Sequence, residues 1–186
     1  GLPQIGSCWG IQLATSVAGG KTEAHPGGRE MGIAAKIRLT DAGKSHPMME
    51  GKPEVYSHFV SHDDHVVRLP ECATRLAGND WSPVQAVEVK YKNGIFWATQ
   101  YHPEYNLHEM AALILAREER LIKFGFFRDG ADVRHYVDAL EAVHRDPSRK
   151  DIRWQLKIDD SIVDDGIRER EFANWLKYLV LPRRQS

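Results

Sequence analysis

The first of the two cysteines stands in a pattern that suits a nucleophile. Cys8 lies in the run Gly6-Ser7-Cys8-Trp9-Gly10, between a short apolar stretch and a helical pattern. A nucleophile on a sharp strand-to-helix turn needs neighbours without a Cβ atom, because the backbone passes close beneath it. The helix N-terminus would favour the thiolate, and the amide of Trp9 would point toward an oxyanion. The alternative is a small buried cysteine in a turn that contains glycine.

A histidine and a glutamate near residue 100 could complete such a site. In Gln100-Tyr101-His102-Pro103-Glu104, His102 offers a general base, and Glu104 can orient its imidazole. They follow a predicted strand, and reactive groups of open α/β sheets lie at the carboxyl ends of strands. Alone, His102 indicates a polar surface turn, but His102 and Glu104 together with Cys8 favour catalysis. Cys72 lacks flanking glycines and a neighbouring base, so we interpret it as structural.

The strands that would position these residues are visible in the hydrophobic pattern. Apolar runs or alternation predict strands over residues 2–5, 33–39, 84–91 and 95–101. The last two are separated by Lys92-Asn93-Gly94, and Asn-Gly is the strongest short signal for a β-hairpin. The sequence therefore predicts a sheet in the first half of the chain.

The spacing of apolar residues becomes mostly helical after Asn106. Helical spacing predicts one helix over residues 8–17 and three more over residues 106–125, 132–144 and 166–180. Asn106 and Glu109 have the spacing of a capping box at a helix start. Residues 152–158 alternate like a strand, and their state is left open.

Composition and charge exclude several classes of protein. The chain has 186 residues with 42% hydrophobic and 27% charged, as expected for one globular domain with a small extension. Lys and Arg number 25 against 26 for Asp and Glu, so a general nucleic-acid-binding role has no support from charge. No apolar run approaches the ~20 residues that span a bilayer. Two cysteines form no disulfide framework and favour a reducing, cytoplasmic compartment.

The nine histidines raise the question of a metal site. His58, His62 and His65 lie close to Asp63 and Asp64, but the segment looks extended rather than helical. In an extended segment, His62 and His65 would not share one face. We therefore expect no metal and no other cofactor.

Three motifs together resemble one family of enzymes. Gly6-Ser7-Cys8-Trp9-Gly10-Ile11-Gln12, His62-Asp63-Asp64 and Gln100-Tyr101-His102-Pro103-Glu104 resemble class I, triad-type glutamine amidotransferases, most strongly the glutaminase domain of GMP synthase and its stand-alone relatives. The resemblance covers residues 2–117. It implies a flavodoxin-like α/β fold and a Cys8–His102–Glu104 triad. In such a family the cysteine attacks the side-chain amide of glutamine, ammonia leaves a γ-glutamyl thioester, and water releases glutamate.

The resemblance also assigns roles to residues around the triad. The Trp9 amide matches an oxyanion donor, and Gln12 matches a glutamine that helps to hold the substrate. Ser61, His62 and Asp63 match a segment that lines the glutamine pocket, partly through its backbone. The implied partners are glutamine and an ammonia acceptor, which is either a synthase subunit or a small molecule. No nucleic acid and no membrane is expected.

The sequence departs from the family at both ends. The family fold has several strands and helices before the nucleophile, whereas seven residues precede Cys8. We therefore expect this chain to be a fragment of a longer protein that lacks the N-terminal strands of the fold. Without those strands, we expect one edge of its sheet to be exposed. Residues 1–117 would be the C-terminal part of an amidotransferase domain, and residues 118–186 a helical extension. That extension lacks the glycine-rich phosphate loop that follows in GMP synthase, which favours a stand-alone amidotransferase.

Two alternatives to a glutaminase remain open. The same triad serves γ-glutamyl hydrolases and peptidases, and Gln12 with the segment from His62 to Asp64 argues only weakly for glutamine. A non-catalytic regulatory subunit could also keep the fold. The intact set of Cys8, His102 and Glu104 argues against that reading.

Overall fold

The computed structural model describes residues 1–184, and their contacts divide the chain into two compact units. The first unit comprises Gly1–Glu104 together with the chain from Asp165 onward, and the second comprises Tyr105–Asp164. The first unit is therefore discontinuous in sequence. The domain boundary predicted at residue 117 was based on the extent of the family resemblance rather than on contacts. It stays a prediction.

The strands of the described chain all belong to the first unit. They are β1 (Pro3–Ser7), β2 (Lys21–Ala24), β3 (Glu30–Leu39), β4 (Val55–His62), β5 (Asp64–Arg68), β6 (Ala73–Gly78), β7 (Ala86–Tyr91) and β8 (Gly94–Thr99). Six of them form one sheet in the order β1-β8-β7-β6-β3-β4, and β2 pairs with β5. Strands β1 and β8 run parallel, and the other pairs are antiparallel.

Helices follow or connect these strands. They are α1 (Trp9–Val17), α2 (Asp41–Lys44), α3 (Leu107–Ala116), α4 (Glu118–Lys123), α5 (Gly130–Arg145), α6 (Lys150–Leu156), α7 (Asp160–Val163), α8 (Asp165–Arg168) and α9 (Arg170–Trp175). Short 3₁₀ turns occupy Pro47–Met49 and Leu181–Arg184, and a π-helical turn occupies Leu176–Val180. The predicted α/β class is confirmed, in a sheet that is mixed rather than purely parallel.

The register between β1 and β8 brings the segments that carry Cys8 and His102 next to each other. Gly6 pairs with Ala98 and Ser7 with Thr99, so both strands end at the same level. Because they are parallel, the segments that leave their carboxyl ends start side by side. One segment begins with Cys8 and the other leads to His102. Strand β1 forms an edge of the described sheet, as expected from the sequence.

The predicted hairpin joins β7 to β8, with its turn one residue earlier than the Asn-Gly signal indicates. Tyr91 pairs with Gly94, so Lys92 and Asn93 form the two-residue turn. Lys92 has a φ of 52°, and Gly94 already belongs to β8. The cross-strand register therefore decides which residue adopts the left-handed conformation.

Apolar side chains cover the sheet on opposite faces. Side chains alternate along β8, so Trp97 and Ala98 belong to different hydrophobic clusters. Helix α1 contributes Ile11 to the cluster around Ala98. The C-terminal segment, residues 165–184, contributes Trp175 and Leu179 to the cluster around Trp97. A single predicted helix over residues 166–180 is instead α8, α9 and the π-helical turn.

The second unit is helical, as its periodicity predicts. Asn106 begins α3 with a capping box: its side chain accepts from the Glu109 amide, and its own amide donates to Glu109. The predicted helix over residues 106–125 divides at Arg117 into α3 and α4. The undecided segment 152–158 falls largely in α6, where Trp154 is 87% exposed. None of the helices in residues 1–184 is long and apolar enough to cross a membrane.

Candidate active site

Cys8 occupies a sharp turn between β1 and α1. Its φ of 49° and ψ of −102° lie outside the regions that side chains normally allow, and its amide donates to the carbonyl of Thr99 at 2.8 Å. A Cβ atom on Gly6 would lie 3.0 Å from the Phe96 ring and 3.2 Å from the Cα of Gly10. A Cβ atom on Gly10 would meet nothing within 4 Å. The elbow geometry is therefore present, and the close approach falls at Gly6.

His102 and Glu104 are joined directly. The distance from His102 Nδ1 to Glu104 Oε1 is 2.8 Å, and the Ser7 hydroxyl donates to the same oxygen at 2.9 Å. The His102 amide donates to the Phe59 carbonyl at 2.9 Å, which attaches this loop to β4. Ser7 was overlooked in the sequence, although it lies directly before the nucleophile.

The surroundings of His102 favour its protonated form. Burial, the largest single influence, lowers the pKa of His102, but hydrogen bonds with Cys8 and Glu104 outweigh it and raise the pKa to about 9. Burial raises the pKa of Glu104, whereas the hydrogen bond and charge of His102 bring it below its usual value. The pair is therefore an imidazolium and a carboxylate at neutral pH.

Gln12 and His62 meet at one backbone carbonyl. The side-chain amide of Gln12 donates to the carbonyl of Asp64 at 2.7 Å, and Nδ1 of His62 donates to the same oxygen at 3.0 Å. The other ring nitrogen of His62 lies 2.8 Å from the Glu30 carboxylate. Both predicted pocket residues are buried, and these contacts brace the turn between β4 and β5.

Ser61 and Asp63 are brought to the same place by an arginine that sequence reasoning missed. The Ser61 carbonyl lies 3.8 Å from the thiol of Cys8 and accepts its weak hydrogen bond. Arg29 donates to the Ser61 hydroxyl at 2.7 Å and to the Asp63 carboxylate at 2.5 Å. The pairing of Glu30 with His62 across β3 and β4 aligns Arg29 with this segment. Only that long-range register would have revealed it.

Two further groups lie at the nucleophile. Gln100, fully buried, donates from its side-chain amide toward the sulfur of Cys8 at 3.9 Å. The Trp9 amide is the first of α1, and the first amides of a helix have no partner within it. Trp9 is 73% exposed, so its side chain lies largely in solvent. Gln100 belonged to a motif in the sequence, but no role was assigned to it.

An open cavity lies beside Ser7 and Glu104, and two histidines pack near Trp81. An open cavity of about 420 Å³ borders Ser7 and Glu104. His25 stacks on Trp81 with centroids 4.4 Å apart, and His65 lies edge-on to His25 at 4.5 Å. Across the described residues, no three His, Cys, Asp or Glu side chains are grouped to hold a metal ion. The expectation of a metal-free site remains a prediction.

Comparisons with known proteins place the chain in a family. The family model for glutamine amidotransferase class-I matches residues 1–120. A γ-glutamyl-L-1-hydroxyisopropylamide hydrolase from a Pseudomonas species is 32% identical over 98% of the chain and 62% of its own length. A GMP synthase (glutamine-hydrolyzing) from Lactococcus lactis is 40% identical over 56% of the chain and 19% of its own length. The chain thus spans about three-fifths of the first relative and about one-fifth of the second.

Solved structures share the fold. A glutamine amidotransferase from Thermotoga maritima superposes over 95% of this chain and 61% of its own, with a TM-score of 0.62 at 19% identity. One from Methylobacillus flagellatus covers 94% of this chain and 62% of its own, with a TM-score of 0.58 at 18% identity. The fold, the elbow and the family match lead to one conclusion: the chain belongs to the class I glutamine amidotransferases and resembles GMP synthase within them.

Proposed function

We propose that this protein hydrolyses the side-chain amide of glutamine through a Cys8–His102–Glu104 triad and delivers ammonia to an acceptor. The observation that carries the proposal is the position of His102, whose Nδ1 is hydrogen-bonded to Glu104 and whose pKa is raised by the neighbouring Cys8, on a strained turn. This is the geometry that a thiol nucleophile, its acid–base partner and an orienting carboxylate require.

The chemistry proceeds in two halves. The Cys8 thiolate attacks the γ-carbonyl carbon, and the oxyanion is stabilised by the Trp9 amide. The His102 imidazolium then gives its proton to the leaving nitrogen, so ammonia departs and a γ-glutamyl thioester remains. In the second half, His102 takes a proton from water as that water attacks the thioester. The Cys8 sulfur leaves as thiolate, and glutamate is released.

Glu104 keeps the imidazole of His102 in one orientation during both halves of the reaction. Its carboxylate accepts from Nδ1, which leaves Nε2 for proton transfer with the sulfur and the substrate. Ser7 holds the same carboxylate oxygen from the other side. We assign substrate contacts to Gln12 and to the turn from Ser61 to Asp63, which Arg29 braces.

The decisive test is ammonia release from glutamine by the purified protein. Cys8→Ala should abolish the release, whereas Cys72→Ala, at the other half-buried free cysteine, should leave it unchanged. A rate that persists in Cys8→Ala would show that the triad assignment is wrong. Loss of the rate in Cys72→Ala alone would show that the nucleophile was misidentified.

A γ-glutamyl amide hydrolase is the second candidate, favoured by one observation. The relative from Pseudomonas matches 98% of the chain, including the second unit, whereas the GMP synthase from Lactococcus lactis matches 56%. Comparing kcat/KM for glutamine with that for γ-glutamyl isopropylamide separates the two. A preference for the alkylamide of tenfold or more would favour the hydrolase, and a preference for glutamine would favour the amidotransferase.

The ammonia acceptor is proposed to be a synthase subunit or a small molecule. A family member of this kind can stay slow until its synthase partner binds, so the chemical test at Cys8 takes precedence over the absolute rate. A glutamine-analogue electrophile should label Cys8 and spare Cys72, with or without a partner. Both cysteines are free, and we propose a cytoplasmic location on that basis.

A further inference from the structure

The residue directly before His102 is held by the far end of the chain. Tyr101 is fully buried, and its hydroxyl donates to Oε1 of Glu171 at 2.5 Å. The Tyr56 hydroxyl lies 2.9 Å from that of Tyr101 and donates to it, because the Tyr101 proton is already directed to Glu171. The backbone that carries His102 is thus fixed through the neighbouring side chain by a residue in α9.

Glu171 is in turn held by a buried lysine. The Lys52 ammonium lies 2.9 Å from Oε1 of Glu171, and neither side chain is accessible to solvent. Lys52 also donates to the carbonyls of Ile167 at 3.0 Å and Arg168 at 3.4 Å. Burial lowers the pKa of Lys52, and the Glu171 carboxylate acts in the opposite direction. Each charge therefore compensates the other, and neither can be removed without leaving its partner exposed to an apolar surrounding.

A second connection reaches His102 from the same segment. His58 donates from Nε2 to the carbonyl of Arg168 at 3.0 Å and accepts at Nδ1 from the Phe59 amide. Its ring stacks on Tyr101 with centroids 4.3 Å apart. Burial, helped by the Lys52 charge, lowers the pKa of His58 well below its usual value, so the ring is neutral. The Phe59 carbonyl accepts from the His102 amide, which completes the connection.

These two connections converge on one peptide unit. One passes from Glu171 through the Tyr101 side chain, and the other from Arg168 through His58 and Phe59 to the His102 amide. His102 must reach both a sulfur and a carboxylate, and such geometry loses rate steeply with small displacements. A support made of a buried ion pair and short hydrogen bonds leaves the peptide between Tyr101 and His102 little freedom.

We propose that the C-terminal segment is a positioning element of the active site, with Glu171, held by Lys52, acting through Tyr101 to fix His102. Glu171, Lys52 and Tyr101 are positioning residues, since none of them touches the reacting atoms. This inference rests on the proposed function for its kinetic test, and it has a chemical test that is independent of glutamine.

The kinetic test uses a matched pair of tyrosine variants. Tyr101→Phe removes the hydroxyl that reaches Glu171, while the Lys52–Glu171 pair remains intact. Tyr56→Phe removes a neighbouring buried hydroxyl of the same network that is not adjacent to His102. Tyr101→Phe should lower kcat for glutamine hydrolysis by about tenfold to a hundredfold with KM within about twofold. Tyr56→Phe should stay within about threefold of the wild type. Equal losses in both variants would overturn the inference.

The chemical test measures alkylation of Cys8 by iodoacetamide against pH, in a Cys72→Ser background. A displaced imidazole assists the sulfur less, so alkylation near neutral pH should be slower in Tyr101→Phe than in the wild type and unchanged in Tyr56→Phe. A purely structural role would lower the melting temperature and leave the alkylation profile as in the wild type, which would overturn the inference. If the wild type neither hydrolyses glutamine nor is labelled at Cys8 by the glutamine-analogue electrophile, the proposed function is wrong, and the alkylation profiles still decide this inference.

A third variant examines the charge of Glu171. Glu171→Gln keeps an oxygen for the Tyr101 hydroxyl but leaves Lys52 without its counter-charge. We expect a kcat loss at least as large as that of Tyr101→Phe, together with a lower melting temperature. A folded Glu171→Gln protein with wild-type kcat and a wild-type alkylation profile would overturn the role of Glu171. If this variant does not fold, the two tyrosine variants carry the decision.

Discussion

The carboxylate of Glu104 should control the charge of His102. Glu104→Gln keeps an oxygen that can accept from Nδ1 and removes the negative charge, so the pKa of His102 should fall from about 9 as the charge of Glu104 no longer opposes burial. A rise from 6.5 to about 9 corresponds to about 3 kcal/mol of preference for the imidazolium. Because the Glu104 side chain is 50% exposed, solvent screens the contribution of its charge to that preference. We therefore expect a loss of about 1 to 2 kcal/mol, equivalent to about one pH unit.

The effect on stability has a definite sign and pH window. The folded-state pKa of His102 lies above its unfolded value, so its contribution to stability is fully present below pH 6.5 and is lost as pH rises toward 9. Urea denaturation should show wild type more stable than Glu104→Gln by about 1 to 2 kcal/mol at pH 6, with a smaller difference above pH 9. A difference that is equal at both pH values would refute the assignment.

The pH dependence of glutamine hydrolysis should show the same fall in the pKa of His102. The alkaline limb of kcat/KM for glutamine reflects loss of the imidazolium, so it should lie near pH 9 in the wild type. In Glu104→Gln it should move down by about one pH unit. Glu54→Gln, which neutralises a carboxylate on a side chain that is 70% exposed, is the matched control and should not move the limb. An alkaline limb that stays in place in Glu104→Gln would contradict the proposed contact.

Three further predictions concern the turn and the pocket. Gly6→Ala should lower the free energy of unfolding by about 2 kcal/mol because its Cβ would meet Phe96, whereas Gly10→Ala should cost nothing in urea denaturation; equal costs would contradict the close approach. Cys8→Gly should be more stable than Cys8→Ala by about 1 kcal/mol in thermal melting, because only glycine relieves the positive φ, and the reverse order would exclude strain. Arg29→Lys should raise KM for glutamine about tenfold with little change in kcat, because lysine cannot bridge both of its partners. A kcat loss at constant KM would instead place Arg29 in the chemistry.

Local signals made the elbow and the hairpin predictable. The glycines around Cys8 reflect a backbone that turns with a φ of 49° and passes 3.2 Å from the position of a Gly6 Cβ atom. Asn106 and Glu109 formed the capping box that their spacing indicates. Such features depend on a few neighbouring residues, so their physical causes are contained in the sequence window itself.

Long-range contacts were not predictable in this way. Arg29 reaches Ser61 across 32 residues, and Lys52 reaches Glu171 across 119. No local pattern distinguishes these charged residues from those of a solvated surface. The alternation over residues 152–158 left the state of that segment undecided for a related reason. It resembled a strand, but α6 leaves Trp154 in solvent, so the apolar spacing there does not record a buried face.

The discontinuity of the first unit has a consequence for how the protein is made. A ribosome delivers Cys8, His102 and Glu104 well before Glu171, because the whole second unit is synthesised in between. Early parts of a chain generally begin to fold while later parts are still being made. The sheet can therefore form with Cys8, His102 and Glu104 present while the proposed support of His102 by Glu171 is still missing. We expect the thiol of Cys8 to reach full reactivity only when the last segment has left the ribosome, so that the nascent chain would be less open to alkylation or oxidation at Cys8.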